Sequence, residues 1–269
     1  MKTLFQVGAG SGGMVVLDLL CREPDVGCVV LVDPDVYQPH NVYRHYFGPD
    51  DVGHRKVELA ARWVKQFRSD LDVQVMPIDL LDPARQAEIE AAVAGCDFGL
   101  CAVDVEPAKF HFDALMRKVG KPWTLGEVLS GGIGGWVHAF RPGAACYGCV
   151  ASYLQRRVTT DNSPPPDYSN PGGAVQETRI PASKTSINAI ASLHASVTLG
   201  LLAGSDPGFT SLLYPLAKVD GVFAEAHKPL RLRIPRSPEC LICGAASAGP
   251  AGGDLDVALD QALARLGHE

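Results

Sequence analysis

The sequence predicts an α/β fold of the Rossmann-like kind, in which a mostly parallel sheet is flanked by helices and extended at its C-terminal end. Three observations predict it. Short apolar runs such as Gly27–Val32 have the β-branched content of strands covered on both faces. Segments of helical length alternate with these runs, and a glycine-rich turn, Val7–Gly13, joins the first run to a helix. The 269 residues, 46% of them hydrophobic, suffice for one large core.

The first half of the chain reads as a regular alternation of strands and helices. Predicted strands are 4–7, 27–32, 73–78, 98–103, 123–128 and 136–140, and predicted helices are 13–21, 57–67, 83–94 and 107–119. In Val57–Phe67 the apolar residues recur at helical spacing, which indicates one buried face. Pro77 lacks a backbone donor, so its strand belongs near an edge or end of the sheet. Pro83 suits the first turn of the helix that follows Asp82.

The second half is less regular. The glycine cluster Gly131–Gly135 interrupts the βα alternation, and the proline-rich stretch Thr159–Pro181 predicts a long loop of the kind that covers a site or binds a partner. A helix follows over 182–203 and an exposed strand over 230–234. We therefore predict a single domain over 1–244 with a crossover loop at about 155–183, and a flexible tail over 245–269 with a possible short helix.

Composition and charge exclude several functional classes. The net charge of -6 provides no basic field for nucleic acid or an anionic membrane. The apolar run Leu4–Val7 is too short for the core of a secretory signal, so a cytoplasmic location is expected. Polar side chains within Ile187–Gly204 argue against a membrane span. Eight cysteines in a chain of this size suggest a metal site or buried thiols more than disulfides.

A nucleotide site is indicated near the N-terminus. In the motif Gly8-x-Gly10-x-x-Gly13, backbone N–H groups at a helix N-terminus can face a phosphate. Asp33 ends the second strand, where a ribose hydroxyl would lie, and Asp35 follows it.

Three further groups are more than a simple dinucleotide site needs: the amide of Asn41, the guanidinium of Arg44 and the ammonium of Lys56. Asp104 stands at the carboxyl end of another strand, where ligands bind in open parallel sheets. His40 and His54, with His45, are interpreted as solvated or as lying one layer away from any ligand.

Two C-x-x-C pairs, Cys146/Cys149 and Cys240/Cys243, supply four thiolates suited to a closed tetrahedral zinc site. Their separation exceeds that of a short zinc ribbon, so the ion would join the chain after the sheet to its C-terminal region. A redox pair or unrelated core cysteines are the alternatives. Four other cysteines lie in predicted helix and strand interiors and are interpreted as small hydrophobic residues: Cys21, Cys28, Cys96 and Cys101.

Taken in order, these motifs resemble the ThiF/MoeB-like adenylyltransferases of the ubiquitin-activating (E1-like) enzyme family. The resemblance covers most of the chain, and the ordered set is far more specific than the glycine motif alone. It implies that Asp33 holds the ribose of ATP and that Asp104 binds Mg²⁺. It also implies that Asn41, Arg44 and Lys56 contact the phosphates.

The implied reaction suits these residues. When a protein's C-terminal glycine carboxylate attacks the α-phosphorus of ATP, the nucleophile comes from the substrate, and the enzyme supplies position, a metal and fixed positive charge. Arg44, Lys56 and Asp104 are the catalytic candidates, with ATP, Mg²⁺ and Zn²⁺ as cofactors. The expected partner is a ubiquitin-like or sulfur-carrier protein ending in Gly, together with a second copy or a related subunit in a dimer.

The chain departs from the family pattern in three places. Ala151–Glu239 contains no cysteine, so adenylation without a thioester on the crossover loop is expected. Many relatives carry a helix before the first strand that lends an arginine to the partner's site, whereas this sequence begins at the strand. Val105 stands where relatives commonly have asparagine.

Other functions are compatible with parts of the pattern. An NAD(P)-dependent oxidoreductase would explain the glycine motif and Asp33, but not Lys56, Asp104 and the cysteine pairs together. A related adenylating enzyme acting on a tRNA base or a peptide would retain the ATP site. A non-catalytic scaffold half of a heterodimer would not need the ATP residues.

Overall fold

One sheet organises the computed structural model of the chain, which describes residues 1–155 and 182–244. Its strands are β1 (Lys2–Val7), β2 (Val26–Val32), β3 (Asp72–Met76), β4 (Phe98–Cys101), β5 (Trp123–Val128), β6 (Gly134–Phe140), β7 (Ser211–Pro215) and β8 (Leu230–Leu232). The helices are α1 (Ser11–Leu20), α2 (Lys56–Lys65), α3 (Gln86–Ala94), α4 (Glu106–Lys118), α5 (Tyr147–Tyr153) and α6 (Lys184–Leu202).

The strand order creates a crevice. Across the sheet the order is β3-β2-β1-β4-β5-β6-β7-β8, parallel from β3 to β5 and antiparallel from β5 to β8. From β1 the chain winds in one direction through β2 to β3, and then returns to the other side of β1 as β4. Strand order therefore reverses between β1 and β4, and in such sheets a ligand binds outside the carboxyl ends at that point.

The sheet is buried on both faces because successive side chains of each strand point to opposite sides. On β1, Phe5 and Val7 join the core formed with α3, α4 and α5, whereas Leu4 joins the core formed with α1, α2 and α6. Both cores consist of large apolar side chains that are almost completely excluded from solvent. The unbroken apolar strands of the sequence are thus explained by helices on both sides.

The predicted fold class is confirmed, including the C-terminal extension, which consists of β6, β7 and β8. β3 lies at one edge of the sheet, as Pro77 after it suggested. Two elements were not predicted, the short helix α5 and the strand β7. Almost all of the predicted crossover loop, 155–183, and the tail 245–269 lie outside the described residues, and the predicted domain boundaries stay a prediction.

The long helix α6 is the one described helix whose length and apolar composition would suffice to cross a membrane. It packs against α1, β5 and β6 and buries Ile187, Ile190 and Ala195 in the fold. A helix packed in a protein core passes the same test of length and composition. It therefore carries little weight as a membrane segment.

Candidate functional site

The backbone register brings three chain segments together at the crevice. Val7 of β1 pairs with Val32 of β2 on one side and with Cys101 of β4 on the other. The next residues, Gly8, Asp33 and Ala102, therefore leave the sheet side by side. Residues far apart in sequence converge here because parallel strands end at the same edge.

The turn after β1 is so closely packed that two of its glycines cannot be replaced without displacement. Gly8 has a φ of +98°, and a Cβ atom on it would lie 2.4 Å from the carbonyl oxygen of Ala102. A Cβ atom on Gly13 would lie 2.2 Å from the carbonyl oxygen of Gly8. The buried Gln6 stabilises this arrangement, since its Nε2 donates to the carbonyls of Gly8 and Gly13 at 3.0 and 2.9 Å.

The N-terminus of α1 faces the crevice. Its N-cap residue is Gly10, which forms no side-chain cap among the described residues, and the first turn contains no acidic side chain. The backbone N–H groups of this turn thus remain available, and the helix dipole favours an anion at this end. The geometry is that of a phosphate-binding turn.

Asp33 is buried and stabilises the glycine turn. One carboxylate oxygen accepts a hydrogen bond from the backbone N–H of Ala9 at 2.6 Å, and the other accepts from that of Asp35 at 2.8 Å. Burial raises the pKa of Asp33, while Lys56 and the two amide donors oppose the rise. Each carboxylate oxygen retains acceptor capacity, so Asp33 both supports the turn and borders the crevice.

Positive groups lie next to this turn. Lys56, at the start of α2, is buried, and its Nζ is 2.5 Å from a carboxylate oxygen of the more exposed Asp35. Arg44 is partly buried. Asn41 is buried, and its Oδ1 accepts from the backbone N–H of Gln38 at 2.9 Å, which orients the amide. Two cationic side chains and an oriented amide therefore border the crevice.

His45 was expected to be solvated or removed from the ligand; the structure corrects the first alternative, since the ring is only 2% exposed. Its Nε2 lies 2.9 Å from the carbonyl oxygen of Ala9, so this nitrogen carries the proton. The pKa of His45 is lowered to about 4, mainly by burial and in addition by nearby Lys56, Lys184 and Arg44, while the hydrogen bond to Ala9 opposes the shift. A neutral imidazole thus supports the glycine turn.

These groups enclose a cavity of about 690 Å³, within the usual size range of a small-molecule site. Eight of the nine predicted nucleotide-site residues line it: Gly8, Gly10, Asp33, Asp35, Asn41, Arg44, Lys56 and Asp104. The ninth, Gly13, lies behind the turn against Gly8. The sequence-derived set is therefore brought together in one place.

Asp104 is exposed at the cavity wall. Its carboxylate has no hydrogen-bond or ion-pair partner within residues 1–155 and 182–244. The N-cap of α4 is Val105, so Asp104 does not occupy the helix-capping position. Its carboxylate oxygens are the type of ligand that Mg²⁺ prefers, and the exposed position fits such an ion.

A buried ionic cluster in the cavity wall was missed by sequence reasoning. Nζ of Lys109 lies 2.7 Å from Oε1 of Glu106 and 2.5 Å from Oε1 of Glu127. Oε2 of Glu127 lies 3.1 Å from Nε2 of the buried His138. Burial lowers the pKa of Lys109, but the two carboxylates outweigh it and raise the pKa overall. Glu127, a charged residue at the end of an otherwise apolar strand, was the available signal.

The four cysteines of the two C-x-x-C pairs form one cluster, with all sulfurs within 4.8 Å of one another. Three contacts, Cys146 to Cys149, Cys146 to Cys240 and Cys149 to Cys243, measure 3.8, 3.6 and 3.5 Å. A disulfide would require about 2.0 Å. Four ligands about 2.3 Å from a zinc ion would be separated by about 3.8 Å, so the donor set and its spacing fit zinc.

Comparison with known proteins agrees with this geometry. The model of the ThiF family matches residues 3–242. The chain belongs to the ThiF family. It is also 31% identical over 158 residues to ubiquitin-like modifier-activating enzyme 5 of Drosophila persimilis, a match covering 55% of this chain and 41% of that protein. The match thus spans less than half of the curated relative.

Solved structures show the same fold. E. coli MccB with ATP superposes with a TM-score of 0.65 at 17% identity, covering 90% of this chain and 67% of MccB. The microcin C7 biosynthetic enzyme MccB in complex with N-formylated MccA gives a TM-score of 0.66 at 17% identity, with coverage of 90% and 67%. At this identity the likeness concerns the fold alone, and this ThiF-family chain shares it with MccB.

Proposed function

We propose that this protein is an ATP-dependent adenylyltransferase that activates the C-terminal carboxylate of a ubiquitin-like or sulfur-carrier protein ending in Gly. The observation that carries the proposal is the convergence of the glycine turn, Arg44, Lys56 and Asp104 on one cavity at the switch point of the sheet. Membership of the ThiF family and the partial match to a ubiquitin-like modifier-activating enzyme support it.

In the proposed reaction a substrate carboxylate attacks the α-phosphorus of ATP. A bond forms between the carboxylate oxygen and phosphorus, the bond from phosphorus to the β-phosphate oxygen breaks, and pyrophosphate leaves. The N–H groups of α1 would hold phosphate oxygens, and Asp33 or Asp35 the ribose. Mg²⁺, held by Asp104, would neutralise phosphate charge.

The cationic side chains meet the main electrostatic demand of this step. Negative charge on the transferring phosphate and the leaving group needs fixed positive charge in a site shielded from water. Lys56 is buried, with Asp35 as its partner before phosphate binds. Arg44 provides a planar donor fork for phosphate oxygens. An oxidoreductase has no comparable need for these two cations.

Further parts of the proposal concern the acceptor and the assembly. Because Ala151–Glu239 contains no cysteine, we expect the acyl-adenylate to pass to a partner without a thioester on the crossover loop. A zinc ion at the four cysteines, a dimer with a second copy or a related subunit, and a cytoplasmic location complete it. A peptide substrate, left open by the sequence, is the second candidate. It is kept because the chain shares its fold with MccB, which has been solved in complex with N-formylated MccA.

Pyrophosphate exchange into ATP tests the proposal. Exchange should require Mg²⁺ and a partner protein ending in Gly-Gly, and Arg44→Ala or Asp104→Ala should lower it by about 100-fold or more, because each removes a charged contact to the phosphates or their metal. Arg141→Ala, which removes an exposed arginine paired with Asp206 on the C-terminal half of the sheet, is the control. Exchange that persists in both site variants would contradict the assignment.

The acceptor and the thioester are tested separately. A short peptide that supports exchange where ubiquitin-like partners do not would favour the second candidate. A labelled partner that forms a bond to this chain cleavable by thiol reductant in the presence of ATP would contradict the direct transfer.

A further inference from the structure

Tyr147 lies at the four-cysteine cluster and contacts helix α4, which lines the nucleotide cavity. It is the residue after Cys146 and begins α5, so it lies inside the first C-x-x-C pair. Its side chain is 0% exposed, and its ring packs edge-on against Phe110 of α4 at a centroid distance of 4.9 Å. The residue is therefore held firmly at the base of the four-cysteine cluster.

The backbone N–H and the hydroxyl of Tyr147 both donate hydrogen bonds to side chains of α4. Its backbone N–H donates to Oδ1 of the buried Asp113 at 3.1 Å, and its hydroxyl donates to Oε2 of Glu106 at 2.7 Å. These two acceptors lie about two helical turns apart on α4. The cysteine pair is thus joined by hydrogen bonds to the helix that begins directly after Asp104 and Val105.

The contact continues from Glu106 to the cavity. The other carboxylate oxygen of Glu106 accepts from Lys109, and Lys109 donates in turn to Glu127. Lys109 and Glu127 both line the cavity, as Asp104 does. A chain of partly buried polar contacts therefore runs from a residue between two metal-ligand candidates to the lining of the cavity.

We propose that Tyr147 is a positioning residue that couples the four-cysteine cluster to the lining of the nucleotide cavity, through Glu106 and the Lys109–Glu127 ion pair. The inference rests on the proposed function, since it assigns Mg-ATP as the ligand whose affinity is set in this way. The four-cysteine cluster would then influence the nucleotide cavity, in addition to joining distant parts of the chain.

The physical basis is the balance of charge around Lys109. The single ammonium is shared between two carboxylates in a buried environment, where an unsatisfied charge is costly. The hydroxyl of Tyr147 stabilises the charge on Glu106 and fixes its orientation. Without this donor Glu106 would no longer be fixed, and Lys109 would be held less firmly against Glu127 in the cavity lining. The wall would then offer the Mg-ATP complex a different charge distribution.

The test measures the affinity for Mg-ATP by titration calorimetry and the zinc content by elemental analysis. Tyr147→Phe retains the ring and the backbone N–H, and removes the hydroxyl that donates to Glu106. We expect full zinc content with an affinity about 10-fold weaker, the lower range for a lost hydrogen bond to a charged group. Glu106→Gln should give a similar loss, and the double variant should lose no more than either single variant, because both act on one contact.

Two matched controls isolate this path. Tyr153→Phe removes a hydroxyl from an exposed tyrosine on the same helix. Arg117→Ala breaks a second link between α4 and the cysteine region, the donation from Nη1 to the carbonyl of Ile242, without touching Glu106. Both should bind Mg-ATP like the unmodified protein.

Each outcome decides the question. An affinity of Tyr147→Phe within 2-fold of the unmodified protein, or additive losses in the double variant, would overturn the coupling. If Tyr147→Phe does not fold, an unchanged affinity in Glu106→Gln has the same meaning. Failure of the unmodified protein to bind Mg-ATP would instead refute the proposed function itself, and this inference with it.

Discussion

Alanine substitutions at the adjacent residues Gly12 and Gly13 would measure how tightly the glycine turn is packed. Both lie in the first turn of α1, so replacing either by alanine changes the intrinsic helix propensity by a similar amount. Their surroundings differ. A Cβ atom on Gly12 would meet Ile187 at 3.7 Å, an ordinary contact, whereas one on Gly13 would lie 2.2 Å from the carbonyl oxygen of Gly8.

The difference between Gly13→Ala and Gly12→Ala therefore isolates the steric clash. An obstructing backbone atom in a packed region costs about 1–3 kcal/mol, and displacement of the turn would weaken the two hydrogen bonds of Gln6 by about 1 kcal/mol each. We expect Gly13→Ala to be about 3–5 kcal/mol less stable than Gly12→Ala. For a chain of this length that corresponds to a Tm about 5–10 °C lower.

Urea unfolding followed by circular dichroism measures this difference, with zinc supplied throughout so that the metal contribution is constant. Stabilities of the two variants that agree within about 0.5 kcal/mol would refute the steric clash. A lower stability of Gly12→Ala would refute it as well, because the contact of a Cβ atom at Gly12 has an ordinary length and involves no clash.

Three other perturbations should have defined effects. Lys56→Gln should weaken Mg-ATP binding by about 10-fold or more, because it removes a buried cation. The control Arg62→Gln changes an exposed residue of the same helix and should leave the affinity unchanged. Equal affinities of the two variants in titration calorimetry would contradict this prediction. Cys149→Ser should lose zinc and lower the Tm by about 10 °C, whereas Cys96→Ser, a buried cysteine outside the cluster, should retain zinc. His45 has a folded pKa of about 4, below its unfolded value, so it disfavours folding progressively as the pH falls from about 6.5 to 4. The unmodified protein should lose up to about 3 kcal/mol more than His45→Gln over that range in urea unfolding, and parallel pH profiles would refute it.

Much of the fold could be predicted because local patterns suffice for it. Unbroken β-branched runs and helically spaced apolar residues located β1 to β6 and the helices between them. β7 and α5 were missed for physical reasons. β7 is a short antiparallel strand between β6 and β8 whose position depends on partners from distant sequence. α5 is too short for a periodic signal and begins at a cysteine that belongs to the cluster.

For this protein, the sequence by itself determined the kind of groups at the candidate site: a glycine turn, carboxylates at two strand ends, three side chains suited to binding phosphate and two C-x-x-C pairs. Spacing and residue type carry that information without a fold. Only the tertiary structure decided which of these groups meet and which others accompany them. The burial of Lys109 and His45 depends on long-range packing between helices and sheet, and so do the ion pair of Glu127 and the hydrogen bond from Tyr147 to Glu106. From sequence alone a charged residue is expected at the surface. Only its neighbours in the tertiary structure show that it is paired and buried.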